Sequence, residues 1–524
     1  MINYLLSFLI FLPLLAALVV VFLPGKSEYL AKPVALAVAI INMIVCLVLY
    51  ILFDPSVSGY QFLEQKPWFS LNLGNFGRFN VQYILGIDGI SLPMVLLAGI
   101  VLLAGTISST GINRRPKAFY AFFLLLTTSI FGCFLAIDFF LFFLFFEFML
   151  LPMYFLIGIW GGERREYAAM KFIIYTLVGS VFILIVMLAV GLSVQELQDG
   201  VKTVFSFDFR LLSNPEHYIP GAVMDTADPA QWLGWPARTV LFVLLLIGFG
   251  IKLPTVPVHT WLPDAHVEAP TSISVVLAGI LLKVGGYGFI RIGIGFFPAE
   301  AMELAGWIAG LGVLSILYGA FNAIAQDDLK KLIAYSSVSH MGFVFLGIAA
   351  MNDEGLNGAI FQMFSHGILS SMLFLIVGVI YDRTHNRLIH NYRGLAGKMP
   401  LFTGAVIIAF FGSLGLPGIS GFIGEFFSLL GAFETDTLSK WYPSLAVLGI
   451  ILSAVYLLWA LQRMFFGNFW VNRDLDDQMH DLSFKESFLL YGLGILAILF
   501  GVWPALIFTV SNQGITDFLQ SLPF

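Results

Sequence analysis

The sequence GFGIKLPTVPVHTWLPDAHVEAPTS occupies residues 248–272 and lies between two long apolar stretches. Pro254 and Pro257 each remove a backbone donor and clash with the preceding helical turn, so they predict a membrane helix that breaks part-way across. Lys252 adjoins the predicted break. A charge at the centre of a bilayer costs roughly 2.5–3.5 kcal/mol on insertion scales, and such charges usually mark an ion or proton path. Residues 248–272 therefore predict a helical membrane protein with a polar interior.

The composition places the rest of the chain in a membrane as well. Of the 524 residues, 59% are apolar and 11% are charged, whereas soluble domains carry about 25% charged residues. Apolar stretches of about 20 residues recur from end to end, which indicates an all-α polytopic membrane protein. The net charge of −6 comes with no basic patch, so no nucleic-acid partner is expected. Cys46 and Cys133 lie in apolar stretches and are interpreted as packing residues.

We predict about 14 transmembrane spans in a single domain, residues 1–524. They are predicted to begin near Asn3, Leu30, Ile90, Ala118, Phe139, Tyr167, Arg238, Pro270, Met302, Leu329, Asn357, Leu401, Leu445 and Phe488. The first span has no positively charged region before it and is expected to be retained rather than cleaved as a signal peptide. The long connection at residues 195–236 is predicted to be a folded surface loop.

Lysine and arginine concentrate in the loops that follow odd-numbered spans. These residues are Arg114, Arg115, Lys117, Arg164, Arg165, Lys330, Lys331, Arg383, Arg387, Arg393 and Lys398. The loops after spans 8, 10 and 12 carry few or none and hold acidic residues instead. By the positive-inside rule, the odd-numbered loops are predicted to be cytoplasmic and both termini periplasmic.

A second broken span is predicted at residues 413–427, SLGLPGISGFIGEFF, which contain four glycines and Pro417. The broken spans, 7 and 12, are five helices apart, and an odd offset reverses the direction of crossing. Spans 4–8 (about 118–297) and 9–13 (about 302–466) are therefore predicted to be two inverted repeats, flanked by spans 1–3 and 14. Paired broken helices in repeated halves indicate a transporter-type site.

Six titratable residues inside apolar spans are candidates for proton translocation. They are Glu147, Lys252, Lys283, His340, His366 and Glu425. Glu147 is at least about 12 Å from either end of its span at 1.5 Å per residue, which is too far for its carboxylate to reach water. Most of the six lie at similar depth on different helices. They are therefore expected to form a polar row in the plane of the membrane rather than a path along one helix.

Each candidate also has a purely structural alternative. Glu147 and Lys283 could be locked in ion pairs that fix helix packing, and the histidines of spans 10 and 11 could be satisfied core residues. Lys252 could satisfy carbonyls exposed by the break, and Glu425 could cap the second half of span 12. Arg291, nearer the outer surface, is expected to extend its side chain to the interface.

Three segments resemble a known family. They are residues 248–272, residues 330–342 (KKLIAYSSVSHMG) and residues 413–426 (SLGLPGISGFIGEF). They resemble the proton-conducting antiporter-like subunits of respiratory complex I and of multisubunit cation/proton antiporters, and the resemblance covers almost all of the chain. It implies 14 helices with two inverted five-helix repeats and broken helices 7 and 12.

The resemblance also implies roles for four residues. Glu147 and Lys252 correspond to a coupled pair in spans 5 and 7, and Lys283 corresponds to the central lysine of span 8. Glu425 corresponds to the terminal residue of span 12. The sibling subunits and the antiporters typically carry lysine at this last position, so glutamate there is similar to one branch of complex I.

The implied function is that of a proton-translocating membrane subunit of NADH-quinone oxidoreductase in a bacterial inner membrane. Glu147 would modulate Lys252, Lys283 would relay the proton with His340 or His366, and Glu425 would couple to the exit or to the next subunit. Alternatives are a subunit of a cation/proton antiporter without redox chemistry, and a membrane scaffold that does not conduct.

The sequence shows no site for a redox cofactor or a metal. We find no phosphate-binding loop, no HExxH and no cysteine cluster. The resemblance accordingly implies that NADH, FMN, iron–sulfur clusters and quinone are bound by other subunits. The partners it implies are other membrane subunits of complex I, especially the antiporter-like subunits L and N, together with lipids.

Overall fold

The computed structural model describes residues 4–72, 74, 77–196, 204–226, 230–232, 234–471 and 479–522. Its long helices, in chain order, are α1 (Leu5–Phe22), α2 (Ala31–Leu52), α3 (Ser91–Ser108), α4 (Pro116–Leu135), α5 (Phe139–Trp160), α6 (Arg165–Gly191), α7 (Ala237–Lys252 and Trp261–Glu268), α8 (Thr271–Ile294), α9 (Ala305–Ile324), α10 (Leu329–Ala349), α11 (Asp353–Thr384), α12 (Pro400–Ser413 and Ser420–Glu434), α13 (Trp441–Phe465), α14 (Phe484–Val502) and α15 (Ala505–Gln520).

Among the described residues, twelve helices are long and apolar enough to cross a membrane. The prediction of an all-α polytopic membrane protein is confirmed. The first fourteen helices begin within four residues of the predicted starts. The two interrupted helices, α7 and α12, are too short in each half to be identified as spans by length, so the number fourteen stays a prediction. The inverted repeats and the single domain stay predictions as well.

The break in α7 lies at residues 253–260, where the sequence predicted it. Its backbone groups find partners inside the protein. The amide of Val256 donates to the Ser315 hydroxyl of α9 at 3.0 Å, and the Trp261 indole donates to the carbonyl of Ile251 at 2.9 Å. Non-helical backbone is tolerated at membrane depth only where such partners exist. The break is therefore a stable part of the fold.

The break in α12 lies at residues 414–419 and is built by two glycines. Gly415 and Gly418 adopt φ angles of +81° and +95°, in the left-handed region that costs other residues steric strain. The amide of Leu416 donates back to the carbonyl of Phe411 at 3.0 Å. The glycines thus end the first half of α12, and the second half begins at Ser420.

Helices α8 and α11 form the centre of the bundle, and the most apolar part of each is wholly buried. Their backbones approach each other because both carry glycine at the crossing. A Cβ atom added to Gly367 of α11 would lie 2.7 Å from the carbonyl oxygen of Gly279 in α8. The two helices that carry Lys283 and His366 are therefore in direct contact.

A small sheet covers one end of the bundle. Its strands are β1 (Gln61–Asn72), β2 (Arg78–Ile87), β3 (Gln195–Glu196) and β4 (Val204–Ser206), in the order β1-β2-β4-β3. The β1–β2 and β3–β4 pairs are antiparallel and the β2–β4 pair is parallel. The β1–β2 hairpin was not predicted from the sequence. The connection at residues 195–236 also forms the short helices Phe209–Leu212 and Pro215–His217 and a pair of strands, β5 (Gln231–Trp232) and β6 (Trp235–Pro236), while residues 197–203, 227–229 and 233 lie outside the described part.

Contacts between the connecting loops are consistent with helices that cross the bundle in alternating directions. The sheet joins the connections that follow α2 and α6, both even-numbered. At other positions, β7 (Tyr392–Arg393) pairs with β8 (Trp470–Val471), which joins the connections after α11 and α13. Asp328 and Arg387, after α9 and α11, form an ion pair at 3.2 Å. We call the side of the odd-numbered connections the basic face and the other side the hairpin face.

Candidate functional site

Four titratable side chains from four helices lie next to one another in a row, which we call the polar row. Nζ of Lys283 in α8 lies 2.8 Å from Nδ1 of His366 in α11. The rings of His366 and of His340 in α10 are 5.6 Å apart between centroids. Nδ1 of His340 lies 2.8 Å from Oε1 of Glu425 in α12. The row passes from helix to helix, as the sequence analysis predicted, instead of following one helix.

The polar row is shielded from solvent along its whole length. The relative exposures are 0% for Lys283, 5% for His366, 5% for His340 and 2% for Glu425. An unpaired charge is costly in such surroundings, because neither water nor counter-ions can screen it. The charge state of each member therefore depends on its neighbours in the row, which is the condition that a proton relay needs.

The backbone of α8 helps to hold Lys283. A π-helical turn at Leu277–Leu281 precedes it, and Nζ donates to the carbonyl oxygen of Ala278 at 2.5 Å. Such turns occur frequently at functional sites, since they disturb the regular helical hydrogen bonds. Among the described residues no carboxylate lies within 4 Å of Lys283, so the ion pair considered for it is not seen there.

Glu425 closes the row at α12. Its Oε1 contacts His340, while Oε2 has no hydrogen-bond partner among the described residues. A Cβ atom added to Gly415 would lie only 3.1 Å from Oε2, so the glycine of the break leaves space beside this oxygen. The cap position of the second half of α12 is occupied by Ile419. Glu425 therefore faces the row and does not act as a helix cap.

Glu147 and Lys252 form a second, separate pair. Glu147 lies in α5 and Lys252 is the last residue of the first half of α7, and their charges interact without direct contact. Oε1 of Glu147 and Nζ of Lys252 are both buried, and neither has a hydrogen-bond partner among the described residues. Nζ lies 4.8 Å from the centre of the Phe146 ring, and Ser180 of α6 adjoins Glu147. Glu147 is therefore stabilised by Ser180 as well as by Lys252, and Glu147 is the carboxylate that acts on Lys252.

The pair and the polar row adjoin at α8. A Cβ atom added to Gly285 would lie 3.0 Å from Cβ of Lys252 and 2.8 Å from the amide nitrogen of Leu253. Gly285 is two residues from Lys283. The part of α8 that carries Lys283 therefore packs directly against the start of the break in α7. The structure shows no hydrogen bond between Lys252 and Lys283, both of which are described. The six candidates thus fall into one row of four and one pair.

The helix that carries Glu147 is anchored by a buried carboxylate at its start. Asp138 precedes α5 and accepts a hydrogen bond from the amide of Leu141 at 3.0 Å. Burial raises the pKa of Asp138 to about 7, with Asp208 nearby adding to the effect. The backbones of Asp138 and Asp208 also form a β-bridge. This contact fixes where α5 begins, and hence the depth of Glu147.

Residues 248–272 contain further buried polar groups that were not predicted as candidates from the sequence. His266 is fully buried, stacks on Phe374 of α11 with ring centroids 4.4 Å apart, and has no hydrogen-bond partner among the described residues. Its ring interacts electrostatically with Lys330 at the basic face and with Lys283 in the row. His259 is likewise buried, with an unpaired Nδ1. The available signal was the spacing, since His259 and His266 follow Lys252 at intervals of seven residues.

The expectation for Arg291 is wrong. Its side chain is 5% exposed and forms an ion pair with Asp88, which is 10% exposed. The Tyr60 and Tyr287 rings lie 5.4 Å and 5.6 Å from its guanidinium carbon. The most apolar part of α8 is wholly enclosed by the protein, and Arg291 is paired inside the bundle instead of extending to the interface. Asp88, which precedes α3, supplies the counter-charge that a buried arginine requires.

Replacement of Asp88 by asparagine is expected to destabilise the protein by about 3–5 kcal/mol, because Arg291 would remain charged and buried without its partner. The measurement is the melting temperature of the purified protein. The double variant Asp88→Asn/Arg291→Met removes both charges and is expected to recover most of the loss. A single variant as stable as the wild type would contradict the importance of this pair.

The chain is similar in sequence to known proteins along almost its whole length. Residues 136–465 match a family model described as NADH:quinone oxidoreductase/Mrp antiporter, transmembrane. The chain is 41% identical to NADH-quinone oxidoreductase subunit M of Rhodobacter capsulatus, over 99% of this chain and 96% of the relative. It is 39% identical to NADH-quinone oxidoreductase subunit M of Rickettsia bellii, over 98% of each.

Solved structures show the same fold. A chain of respiratory complex I from Thermus thermophilus with bound NADH matches with a TM-score of 0.80 and 29% identity, covering 100% of both chains. A chain of the Mrp complex from Dietzia matches with a TM-score of 0.81 over 99% of both chains, and its 20% identity indicates the fold alone. Within the described residues, no group of three or more His, Cys, Asp and Glu side chains is placed to hold a metal ion.

Proposed function

The chain belongs to the NADH:quinone oxidoreductase/Mrp antiporter family of transmembrane proteins, and we propose that it is a proton-translocating membrane subunit of a bacterial NADH-quinone oxidoreductase. Within that complex it would correspond to the subunit M of its relatives. Its role would be to couple electron transfer elsewhere in the complex to proton transfer through its buried charged groups.

The polar row is the observation that carries this proposal. A scaffold needs no chain of titratable side chains at hydrogen-bond distance in the centre of the bundle, and burying one is costly. Lys283, His366, His340 and Glu425 all carry side chains of types that exchange protons, and two of their three contacts are 2.8 Å long. These distances lie within the range in which a proton passes directly between two groups.

In the proposed cycle the pair controls the row. When Glu147 is ionised, its charge stabilises a proton on Lys252, and neutralising Glu147 favours release of that proton. The proton would then pass to Lys283 through water, and from Nζ of Lys283 to Nδ1 of His366. The 5.6 Å between the histidine rings requires a water molecule or a ring rotation before His340 receives it. Glu425 would accept it last and pass it to the exit or to the neighbouring subunit.

The remaining assignments are also proposals. This chain would hold no redox cofactor or metal, and NADH, FMN, iron–sulfur clusters and quinone would bind to other subunits. Its neighbours would be the antiporter-like subunits L and N and the lipids around them. It would lie in the bacterial inner membrane, with the basic face in the cytoplasm and both termini in the periplasm, as the distribution of Lys and Arg favours.

A second candidate function is that of a subunit of a cation/proton antiporter. The similarity of fold to the Mrp complex keeps it open. The direct contact of Glu425 with His340 favours the first candidate, because this end of the row holds an acid where the resemblance to antiporters implies lysine.

The test uses vesicles that contain the complete purified oxidoreductase complex with quinone. Addition of NADH is expected to drive proton transfer, whereas a sodium or potassium gradient imposed without NADH is expected to drive none. Glu425→Gln should slow NADH-driven transfer by about twofold to tenfold, since glutamine keeps the acceptor oxygen but takes up no proton. Glu434→Gln, an exposed change of the same kind at the end of α12, is the matched control. Proton transfer driven by the cation gradient alone would favour the antiporter.

A further inference from the structure

The basic face carries a large open cavity that the polar row does not use. Its volume is about 1100 Å³, and it lies between the end of α13 and the connection after α11. Its polar and aromatic lining includes His390, Arg393, Trp459, Gln462, Arg463 and Trp470. We call it the interfacial pocket. It lies on the opposite face from the sheet, and its described lining includes none of the six candidate residues for proton translocation.

Two arginines give the interfacial pocket its charge. Among the described residues, neither Arg393 nor Arg463 has a carboxylate within 4 Å. Asp327 is the one acidic residue in the described lining. The guanidinium of Arg463 lies 5.6 Å from the centre of the Trp459 ring, which orients it beside the pocket. With His390 also in the lining, the pocket offers donors for an anion.

One of the two arginines, Arg393, is held by the backbone around it. Arg393 lies in β7 and pairs with Trp470 of β8. The turn before β8 passes so close that a Cβ atom added to Gly467 would lie 2.9 Å from Nε of Arg393. Gly467 has a φ of +96°, which favours glycine. The wall of the pocket at Arg393 is therefore formed by paired backbone, and the Arg393 side chain itself is exposed.

An apolar track on α13 leads to the pocket. Ile451, Val455 and Leu458 are 58%, 48% and 41% exposed. Their spacing places them on one side of the helix, and Gln462 of the pocket lining continues the same line. Trp470, 52% exposed, marks the level at which the apolar surface ends. An acyl chain lying on this track would place its headgroup in the pocket.

We propose that the interfacial pocket binds the phosphate of an anionic phospholipid, with the acyl chain against α13. Arginine binds phosphate oxygens in pairs through its planar fork, and basic pockets between helices on the cytoplasmic side suit anionic headgroups. Free phosphate shares the headgroup chemistry but would make no use of the track. The continuity of track and pocket therefore favours a lipid.

The experiment uses the intact complex in vesicles of phosphatidylethanolamine with a small fraction of phosphatidylglycerol that carries a photoreactive group in its acyl chain. After illumination, peptides that contain residues 451–458 are expected to be labelled. Arg393→Gln/Arg463→Gln should reduce this labelling by about tenfold, as expected for loss of two charged hydrogen-bonding groups. Arg114→Gln/Arg115→Gln removes the same charge from exposed residues of the same face and should leave the labelling unchanged.

Four results would overturn the proposal. Equal labelling in the wild type and the Arg393→Gln/Arg463→Gln variant would show that the arginines do not bind the headgroup. An equal loss in the control would show general attraction of anionic lipid to the face. Competition by millimolar inorganic phosphate would identify the free ion as the ligand. Labelling of a neighbouring protein in place of residues 451–458 would show that the track is covered by protein.

Discussion

Replacement of Lys252 by methionine is expected to abolish NADH-driven proton pumping by the assembled complex, lowering its rate by at least roughly 100-fold, the scale of a lost acid–base group. Methionine retains the unbranched shape of the side chain, so packing against Phe146 is largely kept. It carries no proton. Because Nζ has no hydrogen-bond partner among the described residues, no neighbouring group is positioned to take over its role.

The measurement separates conduction from assembly. Quinone-linked NADH oxidation should fall together with pumping, since the two are coupled. NADH oxidation with a soluble artificial electron acceptor should stay at the wild-type rate, because such an acceptor removes the electrons before they reach the membrane subunits. Lys331→Met, an equivalent change at an exposed position of the basic face, is the matched control and should leave both activities unchanged. Wild-type pumping by the Lys252→Met complex would show that this lysine does not conduct.

Replacement of Glu147 by glutamine has the second largest expected effect, a fall in pumping of about tenfold to 100-fold. Glutamine is nearly the same size and keeps an acceptor oxygen, but it cannot ionise. Lys252 would then lose the negative charge of Glu147 in α5, which stabilises the protonated lysine. The effect is expected to be smaller than that of Lys252→Met, because the carrier itself remains.

Two further variants test whether charge is the cause. Glu147→Asp keeps the charge with a side chain shorter by one methylene and is expected to retain most of the activity. Glu434→Gln makes the same chemical change at an exposed position and is expected to have no effect. If Glu147→Asp were as inactive as Glu147→Gln, the exact packing of the side chain, and not its charge, would be required.

The membrane fold was predictable because local signals specify it. Apolar stretches fix the helices to within a few residues, and Pro254 and Pro417 fix the two breaks. Isolated charges in such stretches are rare enough to make Lys283 and Glu425 candidate site residues without a structure. The lateral arrangement also followed from depth alone, since groups at one depth on different helices must face one another or face lipid.

The partners of these residues were not predictable, because they depend on how helices pack. The sequence does not reveal that Lys283 contacts His366 while His340 contacts Glu425, since each contact joins residues more than 80 positions apart. Arg291 was assigned to the interface because its depth was visible while the enclosure of α8 was not. The β1–β2 hairpin was missed because its flanking helices dominated the hydropathy pattern, and its alternation is weak along much of β1.

The central claim is that the buried charged groups of this chain conduct protons as one connected path. The most direct measurement is the initial rate of NADH-driven proton transfer into vesicles that contain the complex with Glu147→Gln, Lys252→Met, or both, matched for assembled complex. We expect both single variants to pump slowly and the double variant to be no slower than the slower single, because coupled groups on one path are not additive. Pumping at the wild-type rate by any of the three, with assembly intact, would contradict the claim and indicate a scaffold.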